Sequence, residues 1–257
     1  MSARRRPGRD PERVVGGLHP VRELLRAGTV VHRVLVAEGR EASTVLGEIR
    51  GLADDAGVPV ETVSRDHLDA RAEGLVHQGV LAVAPPFAYA ELDGVLDRAE
   101  GPPLLVALDG VTDPHNLGSI ARTAEAVGAD ALLLPSRRSA GVTATAEKAA
   151  AGALAHLPVV RVTNLVRALD ECRSRHVWVV GLDGDGPEPI GACPLLTEPV
   201  IVVVGSEGRG LARLTREACD VLAHLPMRGA VGSLNASVAA GIALYEVLRQ
   251  REAAAGG

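Results

Sequence analysis

Two segments near the end of the chain carry polar residues in glycine-containing turns that follow apolar strands. The first, residues 201–210, is a run of β-branched and apolar residues that ends in a turn holding one carboxylate, Glu207. The second, residues 221–237, has an apolar strand and then a loop with Ser233 and Asn235. Loops after buried parallel strands lie at the carboxyl edge of the sheet, where open α/β sheets bind ligands. The sequence therefore predicts that these three side chains share one pocket.

The glycine spacing in these loops argues against two common kinds of ligand site, a dinucleotide site and a calcium site. Gly205, Gly208 and Gly210 lack the spacing of the dinucleotide fingerprint, so a nicotinamide site is weakly supported. A third glycine-rich loop, residues 181–186, follows another strand and lacks the ligand spacing of a calcium loop. Taken one at a time, such glycines only permit tight turns.

Residues 109–128 supply a further candidate motif, a strand that leads into a helix with Asn116 as its predicted N-cap. Gly118, Arg122 and Glu125 are three and four residues apart, so they share one face. A bare glycine one turn below an arginine, near the positive end of the helix, would let a phosphate approach. The alternative is a surface ion pair between Arg122 and Glu125, which contributes little stability.

Two histidines are weaker candidates. His115 adjoins this motif and is a candidate general base, because histidine titrates near neutral pH. His77 has no partner in the sequence and is interpreted as a structural turn residue beside Gln78 and Gly79.

Alternating strands and helices predict an α/β protein with a mostly parallel sheet in its second half. The last helix is expected to start near Asn235, and its apolar stripe is predicted to comprise Val238, Ile242, Tyr245, Leu244 and Leu248. The predicted strands are residues 31–37, 59–63, 80–83, 104–108, 131–135, 157–162, 177–182, 201–205 and 221–225.

Proline and glycine pairs and a basic start suggest four segments. Residues 1–13 are expected to be a basic flexible arm, 14–84 a small α/β domain, 85–102 a linker and 103–257 the main domain. The arm, with Arg4–Arg6, Arg9 and Arg13, is either a solvated terminus or a contact for phosphate backbones.

Composition limits the partners. The net charge of −5 excludes a globally basic nucleic-acid binder, and four aromatic residues disfavour base stacking as the means of recognition. Cys172, Cys193 and Cys219 show neither metal-ligand spacing nor a disulfide framework, so no metal is expected. No apolar run reaches the roughly 20 residues of a membrane span, and a cytoplasmic protein is predicted.

Together, three motifs resemble those of the SpoU (TrmH, or SPOUT) family of RNA ribose 2′-O-methyltransferases. They are Asn116 with Arg122, residues 205–208, and residues 225–227 with 233–235. They occur in the family's order across the whole of the second domain. The first domain resembles the family's small RNA-binding domain, which is similar to certain ribosomal proteins. This layout resembles that of the RlmB-type members, which act on large-subunit ribosomal RNA.

The resemblance implies a deep trefoil knot, an exception to the unknotted topology of most folds. It also implies that S-adenosylmethionine binds between the knot loops at Gly205, Leu225 and Leu234, with Met227 close by. Family members are homodimers whose site is completed across the interface. Leu225 stands where isoleucine is usual in the family, and Ala236 stands where valine is frequent.

The resemblance further implies roles in catalysis. Arg122, assisted by the substrate phosphate, would remove the ribose proton; the alternative is that it stays charged, clamps a phosphate and stabilises the developing alkoxide. Asn116 would orient Arg122 or the ribose, Glu207 would fix its loop and contact substrate, and Ser233 with Asn235 would hold the site at the start of the last helix. His115 ranks lower, since the family does not require it.

The function expected from this resemblance is methylation of a guanosine ribose in 23S ribosomal RNA. Two alternatives stay open. One is a tRNA or antibiotic-resistance rRNA methyltransferase of the same family, and the other is a non-catalytic RNA-binding or ribosome-assembly factor.

Overall fold

The computed structural model describes residues 12–72, 74–137, 139–230 and 232–256. These residues form two compact units that are divided between Ala88 and Tyr89. Arg4–Arg6 and Arg9 of the predicted arm lie outside the described residues. Arg13 lies in the first strand, and its guanidinium carbon is 5.1 Å from the centre of the Phe87 ring. Arg13 is therefore part of the folded first unit.

The first unit is a four-stranded sheet with three helices. The sheet order is β1-β4-β2-β3, in which β2 and β3 are parallel and β4 is antiparallel to both β1 and β2. Its strands are β1 (Arg13–Gly16), β2 (Arg33–Ala37), β3 (Val60–Val63) and β4 (Val80–Ala84). Its helices are α1 (Leu18–Arg26), α2 (Thr44–Asp55) and α3 (Arg65–Ala72).

The helix starts of this unit follow from local sequence. The Ser43 hydroxyl accepts a hydrogen bond from the Leu46 N–H at 3.2 Å and begins α2, as predicted. Leu68 and Ala72 of α3 pack on Leu35 and Leu81 of the sheet. Strand β1 has only four residues and two of them face solvent in part, so its sequence gives no period that predicts it.

The second unit contains a seven-stranded sheet in which every neighbouring pair is parallel, in the order β7-β6-β5-β10-β8-β11-β9. Its strands are β5 (Leu104–Asp109), β6 (Ala131–Pro135), β7 (Val159–Val162), β8 (Trp178–Leu182), β9 (Glu188–Pro189), β10 (Val200–Gly205) and β11 (Val221–His224). Its helices are α4 (Leu92–Leu96), α5 (Pro114–Ala126), α6 (Ala144–Ala149), α7 (Leu165–Ser174), α8 (Arg213–Glu217) and α9 (Ala236–Ala255).

The segment 85–102, expected to be a linker, contains α4, and Leu92 and Val95 are buried in the core of the second unit beside Val160 and Leu169. Five helical residues are too few to show a helical period in the sequence. On another side of the unit, α5 packs against both α6 and α9.

The prediction for the apolar stripe of the last helix was right for Leu244, which is buried, and wrong for three other residues. Helix α9 begins after Asn235, as expected, but Val238, Ile242 and Tyr245 are 48%, 47% and 64% exposed. The buried side of α9 includes three small residues, because α9 lies close to its neighbours. The buried residues of α9 are Ala236, Ala240, Ala243, Leu244 and Val247. No helix in the described ranges is both long and apolar enough to cross a bilayer.

Candidate active site

A tight turn follows β10 and carries Glu207. Ser206 and Gly210 exchange backbone hydrogen bonds of 3.0 and 2.9 Å, which fold the turn back on itself. A Cβ on Gly205 would lie 2.3 Å from the carbonyl carbon of Gly210. Only glycine fits at position 205, and the turn itself imposes this requirement.

This turn forms one wall of a cavity at the carboxyl ends of β8, β10 and β11, with the loop before α9 and the first turn of α9 opposite. Glu207 and Ser233 line the cavity. The four positions expected to bind a cofactor also line it: Gly205, Leu225, Met227 and Leu234.

The cavity is acidic. Asp183 and Glu207 are the charged side chains among the described lining residues, and none of those residues is a lysine or arginine. Asp183 Oδ2 lies 3.1 Å from Nε of Arg216, which is not a lining residue, so the charge of Asp183 is partly balanced by this arginine. The glycine-rich loop at 181–186 was recognised in the sequence, but Asp183 was not among the predicted site residues. The signal was a carboxylate directly after a buried strand.

Three side chains from the three motifs meet in one hydrogen-bonded group, which we call the Asn–Glu–Asn cluster. Asn116 Nδ2 donates to Glu207 Oε1 at 2.9 Å, and Asn235 Nδ2 donates to the same oxygen at 2.5 Å. Asn235 Nδ2 also lies 3.0 Å from Asn116 Oδ1, and the N–H of Ala236 donates to Glu207 Oε1 at 3.4 Å. Hydrogen bonds to an ionised acceptor are stronger than neutral ones, so the carboxylate is held in one orientation.

Helix starts place both asparagines. Asn235 is the N-cap of α9, where its Oδ1 accepts from the N–H groups of Ser237 and Val238 at 2.9 and 3.3 Å. Asn116 was wrongly predicted to be an N-cap. Asp113 caps α5 by accepting from the His115 N–H at 2.8 Å, and Pro114 is at the first helical position, where its fixed φ suits the helix. Asn116 is thereby free to turn inward, where it is 6% exposed.

Gly118 does not leave room for a phosphate, so that prediction was wrong. A Cβ at this position would lie 2.4 Å from the Ala146 carbonyl oxygen and 2.6 Å from Ala149 Cβ. The missing side chain lets α5 and α6 approach closely. The glycine serves packing.

Arg122 is exposed and makes no hydrogen bond or ion pair within the described part of the chain, so the alternative pair with Glu125 is not formed. It lies six residues after Asn116, which is roughly 9 Å along the helix and about 240° around it. Arg122 therefore stands apart from the Asn–Glu–Asn cluster of its own chain. His115 is exposed in the first turn of α5.

The cysteine thiols are not suited to be nucleophiles. Burial raises the pKa of Cys172 and that of Cys219 to about 12, and burial also raises the pKa of Cys193. Thiols with such pKa values stay protonated at neutral pH. Within the described residues, no group of three or more histidine, cysteine or acidic side chains is arranged to hold a metal.

The fold and the site correspond to a known class of RNA-modifying enzyme. Residues 103–245 match the SpoU rRNA methylase family, and residues 14–90 match the RNA 2′-O ribose methyltransferase substrate-binding domain. The chain belongs to the SpoU rRNA methylase family, which confirms the resemblance found in the motifs.

Particular relatives extend over both units. An uncharacterized tRNA/rRNA methyltransferase of Mycobacterium ulcerans is 48% identical over 252 residues, which cover 96% of this chain and 81% of the relative. The 23S rRNA (guanosine-2′-O-)-methyltransferase RlmB of Pseudomonas syringae is 48% identical over 241 residues, which cover 92% of this chain and 95% of the relative. The solved structure of the SpoU methyltransferase AviRb from Streptomyces viridochromogenes, in complex with AdoMet, matches with a TM-score of 0.80 at 29% identity, over 94% of this chain and 91% of that one.

Proposed function

We propose that this chain methylates the ribose 2′-hydroxyl of a guanosine in 23S ribosomal RNA, in the cytoplasm. The family and the relatives named for this reaction support the proposal. The observation that carries it is the hydrogen bonding of Asn116 and Asn235 to Glu207, whose side chain lines the acidic cavity.

S-adenosylmethionine is the proposed methyl donor, and the cavity fits it. The donor carries a sulfonium, which supplies a methyl group to an oxygen nucleophile. Asp183 and Glu207 suit a ligand with a net positive charge. Leu225, Met227 and Leu234 give apolar contacts, and Gly205 leaves backbone groups within reach of a ligand. AviRb, which matches over most of both chains, was solved with this donor.

The Asn–Glu–Asn cluster positions the reacting groups. Asn116 and Asn235 hold Glu207 so that its carboxylate fixes the turn and contacts the substrate, and Ser233 helps to hold the start of α9. Arg122 clamps a phosphate next to the target ribose and stabilises the developing alkoxide. This role suits a guanidinium better than proton removal, because such groups have pKa values above about 12.

We further propose a homodimer in which Arg122 serves the cavity of the partner subunit. Val238, Ile242 and Tyr245 form an exposed apolar row along α9, here called the α9 row, and such rows are commonly covered by association. Thr123 is the side chain nearest to Gly241, so α5 and α9 lie side by side next to this row. A partner seated on the α9 row would thus come close to Arg122.

Two further parts of the proposal concern the fold and the RNA. Residues 14–84 bind the RNA substrate, with the arginines of the arm that precede Arg13 adding phosphate contacts. The second unit contains a trefoil knot; the support is that β10 lies between β5 and β8, both of which precede it in the chain. Single-molecule pulling on the two termini would test the knot, since a knotted chain stays shorter when it is extended.

The proposed function is tested by mapping ribose methylation in ribosomal RNA from cells with and without the gene. One guanosine of 23S RNA should lose its methyl group in the deletion and regain it when the gene is restored. Calorimetry with S-adenosylmethionine distinguishes the enzyme from a non-catalytic RNA-binding factor. Absence of heat of binding, together with unchanged methylation in the deletion, would contradict the proposal.

A further inference from the structure

A second cavity lies in the first unit, at the carboxyl end of β2. Two arginines, two glutamates and a turn line it: Arg40, Arg65, Glu38, Glu41 and the pair Gln78 and Gly79. Its volume is about 280 Å³, several times the roughly 30 Å³ of one water molecule in the liquid. The cavity can therefore hold a group of the size of a nucleobase.

The arginines of this cavity differ from four other arginines of the first unit. Arg22, Arg26, Arg33 and Arg71 each lie within 3.7 Å of a glutamate oxygen. Arg40 and Arg65, in contrast, form no ion pair within the described residues, although two glutamates line the same cavity.

Arg40 is also held in place. Its Nε is shielded from solvent and has no hydrogen-bond partner among the described residues, a costly arrangement for a charged donor. Its Cδ lies 2.7 Å from the position that a Cβ of Gly79 would take, so the side chain runs directly over this glycine. Packing against the turn fixes the arginine at the cavity.

The turn itself is rigid and unusual. Gln78 and Gly79 have φ of +54° and +79°, and a left-handed conformation at a non-glycine residue costs free energy. His77 stabilises this turn, because its Nδ1 accepts a hydrogen bond from the Gly79 N–H at 3.0 Å. The proton of the ring is therefore on Nε2, which donates to Asp69 Oδ1 at 2.8 Å. His77 is thus a structural turn residue, as its sequence context indicated. Strained backbone that is held this firmly is typical of ligand sites.

We propose that this cavity binds one unpaired nucleotide of the RNA substrate, outside the catalytic site. The guanidinium groups of Arg40 and Arg65 donate to its phosphate or to the acceptor edge of its base. The carboxylates of Glu38 and Glu41 accept from the amino or imino groups of the base. Two positive and two negative groups balance, which suits a nucleotide with donors and acceptors better than a simple anion. Proteins read RNA mainly at such unpaired nucleotides. The inference rests on the proposed function, because it takes RNA as the substrate.

The test uses the full chain, a 23S ribosomal RNA transcript and labelled S-adenosylmethionine. The double variant Arg40→Ala with Arg65→Ala is compared with Arg50→Ala, a control that removes an exposed arginine on α2 outside the cavity. We expect the double variant to raise the Kd and KM for RNA by about tenfold or more, and the control to raise them less than about threefold. The kcat at saturating RNA and the affinity for S-adenosylmethionine should not change. Equal effects of the double variant and the control would overturn the proposal.

The glutamates separate nucleotide recognition from charge alone. Glu38→Gln with Glu41→Gln removes two negative charges, so a cavity that merely attracts the backbone would bind RNA more tightly in this variant. The proposal expects weaker RNA binding, because two charged acceptors for the base are replaced by weaker amide oxygens; tighter binding would contradict it. Filter binding measures RNA affinity without turnover. If the wild-type chain methylates no RNA, the proposed function fails, whereas the binding comparison still decides the cavity.

Discussion

Helix α5 has one side that is hydrogen-bonded and packed within its own chain, here called the tied side, and one that is not, here called the free side. On the tied side, Asn116 bonds to Glu207 and Asn235, and Gly118 is pressed against α6. On the free side, Arg122 is exposed and has no bonded partner within the described residues. Asn116 and Arg122, both proposed to act in the site, are six positions apart on one helix. The side chain of Asn116 is nevertheless fixed by hydrogen bonds within the chain, whereas that of Arg122 is not.

This difference indicates how the site is assembled. A single chain preorganises the carboxylate and its asparagines, because hydrogen bonds within the fold determine their positions. The cation has no such support, and its neighbour on α9 is an exposed apolar row. A catalytic cation needs to be held within about 0.5 Å of its working position. A second subunit packed on the free side would supply what the first lacks.

The largest effect is expected from Arg122→Ala. Methyl transfer should fall by about 10²–10³-fold, the usual loss when one group that stabilises developing charge is removed. The free energy of unfolding should change by less than about 0.5 kcal/mol, because the side chain makes no bond in its own chain. Single-turnover methylation and urea unfolding measure the two quantities.

Arg167→Ala, which removes an exposed arginine on α7, is the matched control and should leave methylation unchanged. Arg122→Lys separates the two roles of the arginine. A lysine that restores activity only at a pH where it is deprotonated would show that position 122 acts as a base, and the clamp would be wrong.

The next effect concerns the free side. Ile242→Glu puts a charge in the middle of the α9 row, and burying an unpaired charge is costly. We expect sedimentation to show monomers and methylation to fall by about the factor seen for Arg122→Ala. The affinity for S-adenosylmethionine should change much less, since the described cavity walls belong to one chain.

Mixing two inactive variants tests whether Arg122 acts across the interface. Arg122→Ala keeps its cavity, and Glu207→Ala keeps its arginine. Exchange of subunits at equal amounts should restore roughly a quarter of wild-type activity, because half of the dimers are mixed and each has one complete site. No recovery, with exchange shown independently, would place Arg122 in the site of its own chain.

The contrast between the two sides also explains what the sequence could predict. Strand β10 and the start of α9 near Asn235 were predictable, because a buried run of β-branched residues and the beginning of a helical pattern are local features. The Asn–Glu–Asn cluster joins residues up to 119 positions apart. Its motifs pointed to one pocket, but the bonds that join them depend on the order of the strands in the sheet.

Two errors have a shared cause. Gly118 was assigned to a phosphate and the α9 row to the core, because period and residue type show which residues share a face but not what the face meets. Alanines of α6 fill the space at Gly118, and α9 buries three alanines beside Leu244 and Val247 while the α9 row stays exposed.

Gly118→Ala should disturb the packing of α5 against α6, with a smaller effect than the changes above. The added methyl would lie 2.4 Å from the Ala146 carbonyl oxygen, so α5 and α6 must separate. We expect a loss of about 1–3 kcal/mol of unfolding free energy, as for other overpacked cores. Gly47→Ala is the control, since a methyl at that position on α2 meets no atom within 4 Å. A phosphate-binding role would instead leave stability unchanged and weaken RNA binding.

The last prediction concerns the reactivity of Cys219, which reports on the packing of the strands near the cavity. Its sulfur lies next to Gly181 of β8, and burial raises its pKa to about 12. A raised pKa of a thiol stabilises the fold below the pKa of the unfolded chain, near 8.5, and this contribution is lost as the pH rises towards 12. At pH 8, iodoacetamide should react about a thousandfold more slowly than with the unfolded chain.

The same slow rate is expected in Ile242→Glu, because loss of the partner should leave the strands beneath the cavity packed. A rate in this variant close to that of the unfolded chain would mean that the tied side depends on the dimer as much as the free side does. The two sides of α5 would then be one cooperative unit. With slow alkylation and lost methylation in the same variant, the fold would be complete in one chain and the site complete only in two.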